Sequence, residues 1–190
     1  MTASRPLGPT DLKRLHRDWR RRTELRLSMI LDGVQNPYNI GSILRSAAAY
    51  RLETVWLAPP TVPVGNAKVA KTALGCERLV ETRAVESTAE ALAQATAAGF
   101  TTVAIELTAS AVPLFELDLG PAVCLVMGHE ERGVHRDTLA AVDHVGFLPQ
   151  LGKVGSLNVA QAATAAIYET ARQAWTGREQ SGPRGVDRET

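Results

Sequence analysis

The hydrophobic pattern changes period several times along the chain, and each change marks an element. Residues 1–10 carry Pro6, Gly8 and Pro9 and read as an irregular lead. Leu12, Leu15 and Trp19 then share one stripe of a helix running to about Arg22, with Thr10 or Asp11 placed to cap it. RLSMILDGV, from Arg26, predicts a strand ending in a loop at 33–37. Ile40, Ile43, Leu44, Ala47 and Ala48 return to helical spacing, and Asn39 is placed to cap that helix. TVWLA at 54–58 predicts a second strand, followed by a loop with Pro59, Pro60, Pro63 and Gly65. AKVAKTAL predicts a helix stopped by Gly75, and RLVETRAV holds a short strand. Ser87 and Glu90 form a capping box for an Ala-rich helix ending at Gly99. Strands follow at 101–107, 122–128 and 145–149. The middle one is apolar nearly throughout, the pattern of a strand buried on both faces. A long Ala-rich helix is predicted from Asn158 to about Trp175, then a flexible tail from Gly177.

Strands alternating with helices predict an α/β fold, a parallel sheet covered by helices on both faces. Ligands in such sheets sit beyond the carboxyl ends of the strands. That directs attention to the loops after residues 33, 107, 128 and 149. A length of 190 residues suits one core domain. The pattern divides it into a basic extension (1–24), the core domain (25–175) and the tail (176–190).

Charge changes the picture more than composition does. The net charge is only +1. Yet residues 1–26 hold eight cations against three acids, a local charge of +5, and the other 164 residues sum to −4. A basic segment on a mildly acidic body suits docking on phosphate, and Arg14, Arg17, Arg20, Arg21 and Arg22 are the candidate contacts. No signal-peptide pattern and no apolar run of membrane-spanning length is present. Cys124 lies within an apolar run and reads as a buried reduced thiol. These features suggest the cytoplasm.

The chain contains no G-x-G-x-x-G, no Walker A loop and no G-x-S-x-G elbow. A Rossmann-type cofactor site would want a Gly-rich loop after an early strand, and residues 32–38 offer only Gly33. His129 and His135 are six residues apart with Gly133 between, which is not zincin spacing, so no metal is expected.

Three segments remain as candidates for chemistry. DGVQNPYNIGSILRSAAAY places Asn39, Gly41, Ser42 and Arg45 just after a strand's end. VMGHEERGV runs a buried strand into Gly128 and Glu130, where a glycine permits close backbone approach to a ligand. FLPQLGKVGSLNVAQAATAAIYE passes through a Gly-rich loop to Ser156 and Asn158 at the mouth of a helix. The first amides of that helix can hold an anion, and either residue can cap it. Taken singly, each has an ordinary explanation: an exposed arginine, a polar turn, an N-cap.

Together they resemble the three motifs of the SpoU/TrmH family of RNA ribose 2′-O-methyltransferases, in the SPOUT superfamily. The first is the asparagine-to-arginine pattern, here Asn39 to Arg45. The second is G-x-E-x-x-G, here Gly128, Glu130 and Gly133. The third is S-L-N-V, here Ser156 to Val159. The resemblance spans about residues 27–174. Its departures are Gln150, where many members have methionine, and Ala160, where many have serine.

The resemblance implies a deep C-terminal trefoil knot in the α/β fold and a homodimer with the last helix at its interface. It implies S-adenosylmethionine as cofactor, contacted by Leu107, Gly128, Leu148 and Leu157. It makes Arg45, Asn39, Glu130, Ser156 and Asn158 the catalytic set. Arg45 would act as base or as a fixed cation at the developing alkoxide, although a guanidinium holds its proton tightly. The expected substrate is RNA. With a short basic helix in front, the layout resembles the tRNA enzymes that methylate a D-loop guanosine. Ribosomal RNA is the alternative, and a non-catalytic RNA-binding relic is the rival of another class.

Overall fold

The computed structural model describes residues 5–180. Seven strands form one sheet with every pairing parallel. In chain order they are β1 (Arg26–Asp32), β2 (Thr54–Ala58), β3 (Glu81–Ala84), β4 (Thr101–Ile105), β5 (Val112–Pro113), β6 (Ala122–Gly128) and β7 (His144–Phe147). Their order across the sheet is β3-β2-β1-β6-β4-β7-β5. The helices are α1 (Pro9–Arg21), α2 (Pro37–Ala49), α3 (Ala67–Ala73), α4 (Thr88–Ala97), α5 (Arg136–Ala141) and α6 (Val159–Gln180).

Alternation along the strands builds two cores. Leu27, Met29 and Leu31 of β1 and Val123, Leu125 and Met127 of β6 face one way, against α2, α3 and α6. Ile30, Cys124 and Val126 face the other way, against α4, with Leu139 of α5 packed beside them. Strand β6 is therefore buried on both faces, as its apolar run predicts. Cys124 is a free thiol, and burial pushes its pKa well up. At the carboxyl end of β1, Asp32 accepts hydrogen bonds from Thr88 Oγ1 (2.6 Å) and Thr138 Oγ1 (2.9 Å). This joins the starts of α4 and α5 to the central strand.

Several boundaries differ from the sequence pattern. Helix α1 starts at Pro9 after Gly8 and has no side-chain cap, because proline is preset for the first helical position. Asn36, not Asn39, caps α2: its side chain accepts from Tyr38 N at 3.0 Å, with Pro37 opening the helix. Strands β4 and β7 stop at residues 105 and 147, two short of expectation. The two-residue β5 and six-residue α5 were too short to leave a periodic signal. Helix α6 continues through Gly177 to Gln180, so residues 176–180 of the expected tail are helical. A glycine costs a helix only about 1 kcal/mol relative to alanine, and the Arg-Glu-Gln that follows favours continuation. The rest of the expected tail, 181–190, lies outside the described residues.

Candidate active site

The register of the two central strands brings the first two segments together. Asp32 of β1 is paired with Gly128 of β6, so the loops leaving both strands emerge side by side. Glu130 reaches across and accepts from the backbone amides of Gln35 (3.1 Å) and Asn36 (2.9 Å) and from Asn39 Nδ2 (3.0 Å). Asn39 is buried, and its Oδ1 accepts from Asn158 Nδ2 at 3.0 Å. Asn158 Oδ1 in turn accepts from Ala160 N (2.9 Å) and Gln161 N (3.4 Å), capping α6. One line of hydrogen bonds, Glu130 to Asn39 to Asn158, thus links all three segments. Desolvation works to raise the Glu130 pKa, but the bonds from Asn39, Asn36 and Gln35 outweigh it. The carboxyl therefore titrates below its usual range.

Beside this line a cleft of about 510 Å³ opens at the carboxyl ends of β4, β6 and β7. Leu107, Gly128, Leu148 and Leu157, the four expected cofactor contacts, all line it, as do Glu130 and Ser156. Leu107 and Val154 are about two-thirds exposed on its walls. Apolar side chains held open in this way suit a flat, partly apolar ligand, and the volume is that of a small-molecule site. Ser156 does not cap α6, so its hydroxyl remains available to the cleft.

Gly128 also has a packing role beside its place on the cleft wall. A Cβ there would lie 2.3 Å from Gly133 C and from Val134 N, because the 129–134 loop folds back on the strand end. His129 and Gly133 exchange backbone hydrogen bonds of 3.0 and 2.9 Å to close that loop. Gly133 sits at φ +67° with Glu106 against it. Gly128→Ala is expected to cost about 3 kcal/mol, since backbone rather than a flexible side chain must move. Denaturant unfolding measures this, and a variant as stable as the parent would refute the packing argument.

Glu106 was not among the sequence candidates. It turns at the end of β4, accepting from Leu107 N (3.0 Å) and Val134 N (2.9 Å), and so holds both sides of the cleft. An acid directly after an apolar strand was the available signal. Arg45 stands apart from the cluster. It lies two helical turns from the start of α2, is exposed, and makes no hydrogen bond or ion pair among the described residues. The five arginines of the N-terminal helix and its cap are exposed too, on α1 and Arg22, at the opposite end of the sheet from the cleft.

The model of the SpoU rRNA Methylase family matches residues 26–168. The chain belongs to this family. The match takes in every residue of the hydrogen-bonded line and of the cleft wall. Among relatives of this SpoU protein, a 23S rRNA (guanosine-2′-O-)-methyltransferase RlmB from Xylella fastidiosa is 38% identical over 148 residues, 77% of this chain and 59% of the relative. A tRNA (guanosine(18)-2′-O)-methyltransferase of Escherichia coli K12 is 29% identical over 147 residues, 77% of this chain and 63% of the relative. The chain thus spans about three-fifths of the length of these curated relatives. The solved structure of the SpoU methyltransferase AviRb from Streptomyces viridochromogenes with AdoMet superimposes with a TM-score of 0.72. That superposition has 28% identity and covers 83% of this chain and 62% of the other.

Proposed function

We propose that this SpoU protein transfers a methyl group from S-adenosylmethionine to a ribose 2′-hydroxyl of RNA, with a tRNA D-loop guanosine as first choice of target. The observation that carries the reading is the Glu130–Asn39–Asn158 line, which locks the three motifs together at the mouth of an apolar-walled cleft. Residues 25–175 are taken as the methyltransferase domain, with 1–24 as a basic RNA-binding extension.

The cleft fits the cofactor. Leu107, Leu148 and Leu157 offer apolar contact for its adenine, and main chain around Gly128 offers hydrogen bonds. S-adenosylmethionine, when bound, supplies an electrophilic methyl group on a positive sulfur. The chain's task is to align the ribose oxygen in line with that methyl group, which would pass from sulfur to oxygen. The hydroxyl proton passes to solvent. Arg45 pairs with RNA phosphate and, because it does not line the cleft of its own chain, reaches the developing alkoxide only across the dimer of this reading. Ser156 orients the ribose, and Glu130, Asn39 and Asn158 hold the loops that present it. The reading includes the knotted C-terminal topology and a cytoplasmic homodimer on α6; of the small residues expected to permit close helix approach Ala165 is exposed, whereas Ala163 and Ala166 are buried in this chain's own core and Ala162 packs against it.

A second reading, a guanosine of ribosomal RNA, is favoured by the higher identity to the 23S rRNA enzyme. Labelled methyl transfer to total tRNA and to ribosomal RNA, followed by nucleoside analysis, separates them. The expected product is 2′-O-methylguanosine in the tRNA arm. Label in ribosomal RNA alone would favour the second reading. No transfer to either pool, or acceptance that survives RNase, would overturn RNA methylation.

A further inference from the structure

Three carboxylates line the cleft: Glu106, Glu130 and Glu131. Glu130 is turned to the amides of Gln35 and Asn36 and to Asn39, and Glu131 is exposed at the rim. Glu106 is half-buried, one residue beyond the end of β4. Its main chain is fixed, because Glu106 N donates to Gly146 O of β7 at 2.9 Å. Its side chain is fixed as well. Oε1 accepts from Leu107 N at 3.0 Å, and Oε2 accepts from Val134 N at 2.9 Å. Gly133 backs the carboxylate so closely that a Cβ there would collide with Oε2.

A carboxylate has about four acceptor positions, and the two amides occupy one on each oxygen. One position on each oxygen therefore remains for a ligand. Among the described residues no cation pairs with Glu106, and no three side chains of metal-ligating type converge on it. Its negative charge disfavours RNA phosphate and the cofactor's own carboxylate. S-adenosylmethionine carries three kinds of donor that suit it: the two ribose hydroxyls, the 6-amino group and the ammonium. Chain proximity favours the sugar. Leu107, an adenine wall in the methyl-transfer reading, follows Glu106 directly. The ribose is bonded to adenine, whereas the ammonium ends the amino-acid chain. The hydroxyls also present two donors side by side, one for each oxygen, where the 6-amino group presents a single nitrogen. An acid near a strand's carboxyl end takes ribose hydroxyls in dinucleotide-binding sheets by the same chemistry.

We propose that Glu106 is a cofactor-specificity residue: its carboxylate accepts from the ribose hydroxyls of S-adenosylmethionine while its other lone pairs hold Leu107 and Val134 in place. This role rests on the methyl-transfer reading for its ligand, and it adds to that reading the side chain that recognises the sugar.

The test is calorimetric binding to the full chain without RNA, so no turnover is involved. Three probes are used: S-adenosylhomocysteine, its 2′,3′-dideoxy analogue, and 5′-methylthioadenosine, which keeps the ribose and lacks the ammonium. The parent is expected to bind the dideoxy analogue at least about tenfold more weakly than S-adenosylhomocysteine, because the analogue leaves a half-buried carboxylate unpaired. Glu106→Gln is expected to bind S-adenosylhomocysteine and 5′-methylthioadenosine about tenfold more weakly than the parent and to distinguish the dideoxy analogue by less than about threefold. A variant that loses affinity for all three probes equally, and still rejects the dideoxy analogue as the parent does, would make Glu106 a prop for the loop and overturn the contact. Parent affinities for S-adenosylhomocysteine and the dideoxy analogue within about twofold of each other would overturn it as well, whether or not Glu106→Gln folds. A loss confined to S-adenosylhomocysteine, with 5′-methylthioadenosine bound equally by parent and variant, would move Glu106 from the sugar to the ammonium. A parent that binds none of the three would overturn the cofactor reading itself.

Discussion

Replacing Arg45 by alanine is expected to lower methyl transfer to RNA by about a hundredfold to a thousandfold, the usual cost of removing a group that stabilises charge in the transition state. Stability should change by no more than about 0.5 kcal/mol, because Arg45 is exposed and bonded to nothing among the described residues. Cofactor affinity should also hold, because Arg45 does not line the cleft. This separation of effects is what distinguishes the prediction from a folding defect. Arg45→Lys refines it. Lysine keeps the charge but loses the planar fork that pairs two ways with phosphate, so recovery should be partial. A stabilising cation lowers the rate plateau and leaves the pH profile in place. A proton acceptor would move the profile, since lysine titrates about two units or more below arginine. Single-turnover rates between pH 6 and 9 decide it. Undiminished transfer by Arg45→Ala would remove Arg45 from the chemistry altogether.

The sheet and the site were legible in the sequence to different degrees, for physical reasons. Long periodic elements such as β1, β6 and α6 announce themselves because burial imposes their pattern. The three segments were recognisable by residue type and order. What the sequence could not display was their contacts. The pairing of Asp32 with Gly128 is a fact of sheet register, and only that register carries Glu130 to the amides of Gln35 and Asn36. Asn39 looked like a cap because asparagine before an apolar helical run usually is one. Its neighbour Asn36 took that role, which left Asn39 inside α2 and free to bridge two other segments. Gly128 lines the cleft as a ligand contact would, and its missing side chain also makes room for Gly133 and Val134, a packing role that no local pattern displays. Glu106 was hidden because a carboxylate that bonds main-chain amides has no partner type to match in the sequence. Trp19 packs on Trp175, residues from the two ends of the chain that no local pattern relates.

Truncating Glu130 should produce the other large effect, and of a different kind. Glu130→Ala leaves the amides of Gln35 and Asn36 and the side chain of Asn39 without their acceptor. Some of these groups regain water at the loop surface, so the expected loss of stability is about 3 kcal/mol. Methyl transfer should fall with it, since Asn39 then no longer holds Asn158 and the start of α6 in register with the cleft. Glu130→Gln tests the electrostatic part. An amide can accept on one side only, so it keeps the shape but loses part of the bonding. The sign with pH follows from the lowered pKa of the native carboxyl. In the unfolded chain the group titrates near its ordinary value of 4.5. The parent's advantage over Glu130→Gln should therefore be fully present above that pH. It should shrink as pH falls through the lower native pKa, where the parent carboxyl becomes protonated as well. Unfolding free energies at intervals from pH 3 to 7 trace this difference. A gap between the two proteins that stays constant across the window would mean that Glu130 acts through shape alone. A gap that opens with rising pH and then levels off would identify the carboxylate charge as what draws the amides of one motif and the asparagine of another to a single point.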